Sequence, residues 1–162
     1  SFYYAPIIQV CVGIKNTGGI DYAAFGGLVP SQEQKKVLGI LFPSACFVQR
    51  APEGGALYSY FMGGARHTDY LQKSDAEIRS MVREAFHSML KYPMNVEPDM
   101  IRIFRHEHAI PQYGVDSGER FKAVEAIQQQ YPGLIIAGNL RDGIGMGNRI
   151  QQAAAIARLF QK

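Results

Sequence analysis

From Tyr4 to Ile14 the side chains sort by a period of two, with Ile8, Val10, Val12 and Ile14 on one side and Ile7, Gln9, Cys11 and Gly13 on the other. That is the repeat of an extended chain, and it predicts a long strand with one wholly apolar face. Asn16-Thr17-Gly18-Gly19 reads as a turn. Ala24 to Pro30 is apolar but glycine-rich, and Ser31 to Lys36 is polar. Val37 to Phe42 predicts a second strand ending at Pro43, and Ala56 to Met62 a third closed by Gly63-Gly64. Short polar breaks between such strands point to an antiparallel meander.

The period then lengthens. Ser74-Asp75-Ala76-Glu77 is a capping box, and Ile78, Met81, Val82, Ala85, Phe86, Met89 and Leu90 follow it at helical spacing up to Pro93. Asp99 to Arg105 predicts a strand running on towards Tyr113. A second box, Asp116-Ser117-Gly118-Glu119, predicts a helix with Phe121, Val124, Ile127 and Tyr131 inward. Pro132-Gly133 stops it. Leu134 to Ala137 is a short apolar run that reads as a buried strand, breaking into the glycines of Gly138 to Gly147. A last helix carries Ile150, Ala153, Ala154, Ile156, Ala157 and Phe160, and its alanines suggest close packing. The expected class is α+β: a largely antiparallel sheet with packed helices, ending in strand, turn and helix.

Length and charge narrow the functions. A chain of 162 residues with 47% hydrophobic content can bury a real core as one domain of ordinary size. Net charge is only +3 and the 17 basic residues are scattered, with no basic run interleaved with aromatics, so nucleic acid is not an expected partner. Cys11 and Cys46 sit in apolar runs and read as small hydrophobes of a reduced compartment. No apolar run is long enough to span a bilayer, and the opening Ser1-Phe2-Tyr3-Tyr4 has no basic region of a secretory signal. A cytoplasmic location is expected, with peripheral membrane association open. The start without Met suggests a piece of a longer protein.

Strand, glycine turn and helix together can present bare backbone N–H groups and a positive helix end to a phosphate. The turn is not the dinucleotide fingerprint: counted from Gly143 the third glycine falls on Asn148, and from Gly145 on Ile150. It can touch a nucleotide but not hold one alone, and a plain loop between core elements is the other reading. Asp142 in the turn is a candidate general base or a turn former. Arg66 and Arg141 follow the glycine segments and are candidates for acidic ligand groups, or solvated charges. His106 and His108 share one strand face, but a metal site needs further ligands that Cys11 and Cys46 have no evident reason to supply. The aromatic sheet residues can wall a flat apolar ligand or simply fill a core.

Several stretches together resemble the oxygen-dependent protoporphyrinogen oxidases. They are Phe25-Gly26-Gly27-Leu28-Val29-Pro30-Ser31, Leu38-Gly39-Ile40-Leu41-Phe42-Pro43-Ser44, Phe47 with Arg50-Ala51-Pro52, and Gly55-Ala56-Leu57 with Phe61-Met62-Gly63-Gly64. Ala109-Ile110-Pro111-Gln112-Tyr113 and Pro132-Gly133-Leu134 with Ala137-Gly138-Asn139 complete the series, which runs in family order over nearly the whole chain. The resemblance implies a flavoprotein of the amine-oxidase-like superfamily in haem biosynthesis, passing hydride equivalents from a porphyrinogen to FAD and then to oxygen. It implies that residues 1–131 belong to the substrate-binding part and 132–162 to the FAD part, the N-terminal Rossmann part being absent. By motif, Gly138 and Asn139 would lie by the FAD phosphates, and Gly145 and Met146 at the flavin's pyrimidine edge. Leu28 and Phe47 look like the residues that sandwich the tetrapyrrole. No catalytic acid or base and no metal ligand is carried over. The chain departs from the family at His106, where many members have Trp, and at Asp116-Ser117-Gly118, where many have a Gly-His pair. The related coproporphyrinogen-oxidising enzymes share most of these motifs. A chain without its Rossmann half is expected to be inactive alone and to self-associate through exposed surfaces.

Overall fold

A computed structural model describes residues 2–161. The chain divides into two compact units, Pro6–Glu107 and His108–Lys162 with Ser1–Ala5. They part the chain at Pro6 and His108.

The five-stranded sheet runs in the order β2-β3-β4-β1-β5, from β1 (Tyr4–Ile14), β2 (Gly26–Leu28), β3 (Gly39–Leu41), β4 (Ala56–Gly63) and β5 (Met100–Pro111). β1 pairs antiparallel with β4 so that Ile8 opposes Met62, Val10 opposes Tyr60 and Val12 opposes Tyr58. Opposed residues share a face, so the apolar side of β1 and the aromatic side of β4 make one surface. A brief helix α1 (Pro43–Cys46) follows β3.

Helix α2 (Asp75–Ser88) covers that surface with Ile78, Val82, Ala85 and Phe86, all buried. It starts where the capping box puts it: Ser74 Oγ accepts from Glu77 N at 3.3 Å, and the Glu77 carboxylate accepts from Ser74 N at 2.8 Å. Each fully buried apolar side chain contributes roughly 1.5–3 kcal/mol. Phe86 also stacks on Tyr92, with ring centroids 4.1 Å apart. Tyr92 and Tyr58 share a buried O–H···O bond of 2.8 Å, and Tyr22 donates to Leu90 O at 2.5 Å. Burial pushes the phenols of Tyr58 and Tyr60 well above their ordinary range, so both stay neutral. The aromatic residues at Phe42, Tyr58 and Tyr60 are therefore core.

In the second unit, α3 spans Ser117–Gln130 and α4 Met146–Leu159. Several expectations need correction here. Asp116 stands at the N-cap of α3 but caps nothing with its side chain, which instead pairs with Arg120 at 2.5 Å one turn along. The better-placed guanidinium wins the carboxylate from the helix end. The strand at Leu134 to Ala137 is not formed, since those residues are irregular. No strand of the described residues pairs with them, and the Gln128 side chain accepts the Ile136 N–H at 2.8 Å instead. The close packing expected of the last helix is also missing: α4 has no buried residue, and Ile150, Leu159 and Phe160 are exposed. On α3 only Ser117 and Val124 are buried, leaving Ile127 and Tyr131 open.

Candidate functional site

The glycine turn is held from α4. The Arg149 guanidinium donates through Nη1 to Gly138 O and to Gln152 Oε1, and through Nη2 to Arg141 O at 2.8 Å. Gln152 accepts the Gly138 N–H at 2.9 Å and donates to the Asp142 carboxylate at 2.7 Å. Two side chains one helical turn apart thus fix both ends of the segment from Gly138 to Asp142. From the other side, the Tyr113 hydroxyl donates to Asn139 O at 2.5 Å and the Tyr4 hydroxyl to Asn139 Oδ1 at 3.4 Å.

Asp142 has φ +62°, a left-handed conformation that Asp tolerates in turns, and its carboxylate is held by Gln152 and by Arg141 Nε at 3.2 Å. It behaves as a turn former. The glycines serve different ends. A Cβ at Gly143 would stand 2.8 Å from Asn148 Cγ, so Gly143 is needed for internal packing. At Gly138, φ is +119° and a Cβ would meet nothing within 4 Å, although its N–H and C=O are already taken by Gln152 and Arg149. Helix α4 opens at Gly145 with no side-chain cap and no acidic residue in its first turn. Buried Arg141 Nη1 and Arg149 Nε have no hydrogen-bond partner among the described residues. An uncapped helix end and orphaned guanidinium N–H groups fit an anionic, phosphate-bearing group. Met146 is exposed at that helix end.

An open cleft of about 380 Å³ adjoins the turn, lined by Leu134, Ile136, Arg141, Gln152 and Ile156 among others. Sequence reasoning passed over Arg149 and Gln152. Their spacing on α4 is the only sequence signal for them, and it acquires meaning only once the turn folds back on the helix.

Leu28 and Phe47 lie in the other compact unit. Both are exposed, at 84% and 60%, and the Arg50 guanidinium lies 5.8 Å from the centroid of the Phe47 ring. Phe25 and Val48 are exposed near them in sequence, so apolar surface flanks both positions. An exposed Leu is ordinary alone, but Phe25 and Leu28 at β2 and Phe47 and Val48 after α1 make apolar surface available to a hydrophobe. His106 and His108 are exposed on the edge strand β5, where the His108 ring lies edge-on to Tyr4 at 6.4 Å. Among the described residues no helix is long and apolar enough to cross a membrane.

Residues 1–146 match the family of flavin containing amine oxidoreductases. The chain is 33% identical to the mitochondrial protoporphyrinogen oxidase of Nicotiana tabacum over 96% of its own length and 31% of that protein. It is 32% identical to protoporphyrinogen oxidase 2 of Arabidopsis thaliana over 83% of this chain and 27% of that one. Coproporphyrinogen III oxidase of Bacillus subtilis is 32% identical over 65% of the chain and 22% of its own length. The chain therefore spans less than a third of these relatives. In fold it resembles a crystal structure of a candidate protoporphyrinogen oxidase from Exiguobacterium sp. 255-15, with TM-score 0.81 over 98% of this chain and 35% of that one at 18% identity.

Proposed function

Since this chain belongs to the flavin containing amine oxidoreductase family, we propose that it is the C-terminal part of an FAD-dependent oxidase that converts protoporphyrinogen IX to protoporphyrin IX in haem biosynthesis. The observation that carries the reading is the turn from Gly138 to Gly145, tied to α4 by Arg149 and Gln152 and leading into that helix's uncapped N-terminus. The likeness to the two plant protoporphyrinogen oxidases supports the choice of substrate.

Residues 132–162 then form the FAD part and 1–131 the substrate part. FAD, when bound, supplies the hydride acceptor, and oxygen takes up the electrons. This chain's residues bind and orient. Asn139 would offer its backbone N–H to the phosphates beside Gly138, whose own N–H is held by Gln152, while Gly145 and Met146 would present backbone at the pyrimidine edge. The N-terminus of α4 favours negative charge there. Leu28 and Phe47 contribute apolar walls that hold a flat macrocycle and keep water from it. No acid or base of the chain is assigned to the reaction. The exposed apolar side of α4 is covered in the whole protein by further chain or by a second copy, and any membrane contact is peripheral.

The test uses the full-length protein. Its visible spectrum is recorded, and porphyrin fluorescence is followed in air after adding protoporphyrinogen or coproporphyrinogen. Bound flavin and protoporphyrin formation is the expected outcome. Turnover of coproporphyrinogen alone selects the second reading, which the Bacillus subtilis relative supports. Absence of flavin ends the enzyme reading.

A further inference from the structure

A cleft of about 710 Å³ lies in the unit Pro6–Glu107, between the connection from Val29 to Leu38 and the segment from Gly63 to Tyr70. Val29, Val37 and Leu38 give it an apolar wall, while Lys35, Lys36 and Arg66 bring three cations. No Asp or Glu lines it. Lys36 is paired with Glu84 at 2.5 Å, but among the described residues neither Lys35 nor Arg66 has an ion-pair partner. Leu28 and Phe47 themselves do not line the cleft, although Val29, next to Leu28, does.

The walls are shaped by backbone that few sequences adopt. Gly63 and Gly64 follow one another with φ +88° and +83°, turning the chain sharply off β4. Gln34 in the facing connection holds φ +48°, a left-handed conformation outside the ordinary range of its residue type. Held strain of this kind collects at ligand sites. Tyr70 forms part of the wall, its ring 5.4 Å from that of His67, and burial raises its phenol above the ordinary value.

We propose that this cleft is a binding site for an apolar-bodied carboxylate, whose hydrocarbon body lies on Val29, Val37 and Leu38 and whose carboxylate meets Lys35 and Arg66. The volume is in the range of small-molecule sites, roughly 300–1,000 Å³, and much larger than a lone inorganic ion needs. Uncompensated cations in a low-dielectric cleft concentrate anions, and the guanidinium can grip a carboxylate through two parallel N–H bonds. The inference stands apart from the proposed oxidase activity, since the cleft contains none of the residues assigned to it.

Two molecules carry this chemistry from different sources, an acyl carboxylate (laurate) and a carboxylated tetrapyrrole (protoporphyrin IX). Each is titrated into the full-length protein by calorimetry, beside inorganic phosphate. At least one of the two should bind saturably, and the one whose binding depends on Lys35 and Arg66 identifies the source. The double variant Lys35→Gln/Arg66→Gln should weaken that binding about tenfold or more, the scale of losing charge-assisted hydrogen bonds. Leu38→Glu, which sets a carboxylate in the wall, should weaken it as well. Thermal melting checks that each variant is folded. Failure of both molecules to bind, or binding that both cleft variants leave unchanged, overturns the proposal. Phosphate binding as tightly as the better of the two overturns the apolar body.

Discussion

Two buried phenols two residues apart on one face of β4 have different surroundings. Tyr58 shares its hydrogen bond with Tyr92, while the Tyr60 hydroxyl is buried without a partner among the described residues. Removing one member of a buried pair strands the other, at about 1–3 kcal/mol, whereas removing an unpaired group relieves a desolvation cost. Tyr58→Phe should therefore lower the melting temperature by several degrees and Tyr60→Phe should leave it level or raise it. Equal losses in the two variants would refute this account of the core. Arg149 is the other residue on which much rests. Arg149→Ala frees the carbonyls of Gly138 and Arg141 together with Gln152 Oε1. Amide exchange at Gly138 and its neighbours should quicken, and the full-length protein should lose flavin more readily on dilution. Arg149→Lys, keeping the charge without the fork, should fall between. Unchanged exchange in Arg149→Ala would sink the claim that this side chain shapes the turn. Nothing in the turn's own letters singles out Arg149, because its partners are backbone carbonyls, which every residue carries.

Both helix-start motifs of the sequence have the same form, yet only one forms its bonds. At α2 the Ser74 and Glu77 exchange is complete. Ser74→Ala should cost about 1 kcal/mol, read as a shifted urea midpoint. At α3, Asp116→Ala should cost less than Ser74→Ala because no cap bond is lost. The Ser74 bonds hold the Glu77 carboxyl below its ordinary value. A carboxyl lowered on folding stabilises at pH above its unfolded value of about 4.3 and loses that contribution as pH falls through the lower folded value. Acid titration should accordingly weaken α2 from about pH 4 downward, and the Ser74→Ala variant should show a shallower decline over that span. Strands were legible in proportion to their length. β1 declares itself through a long period-two pattern, but β2 has only Gly26, Gly27 and Leu28 and exists because β3 lies beside it. The run Leu134 to Ala137 shows the converse. Its residues suit a buried strand, but backbone hydrogen bonds need a neighbour, and side-chain amides answer for it here.

At the scale of the whole molecule the units differ in how they bury apolar surface. The core residues Ile8, Val10, Tyr60, Met62, Ile78 and Phe86 all belong to Pro6–Glu107 and have essentially no exposure. The helices of the other unit leave Ile150, Leu159 and Phe160 open. Apolar side chains arranged on one element and left in water favour association. The 162-residue chain should show concentration-dependent association in sedimentation velocity. Ile150→Glu/Phe160→Glu should suppress it, and a wild-type chain that stays monomeric at high concentration would contradict the expectation.

The order of letters alone determined β1, β4, α2 and the family motifs, because periodicity, capping pairs and glycine spacing are local and survive whatever the chain packs against. Tertiary structure alone decided which aromatics are core, which capping box closes, and that Leu134 to Ala137 stays irregular. It also brought Arg149 to the glycine turn and three cations to one cleft with no carboxylate lining it. Each of those outcomes depends on a partner distant in sequence, and burial and hydrogen bonding are properties of pairs.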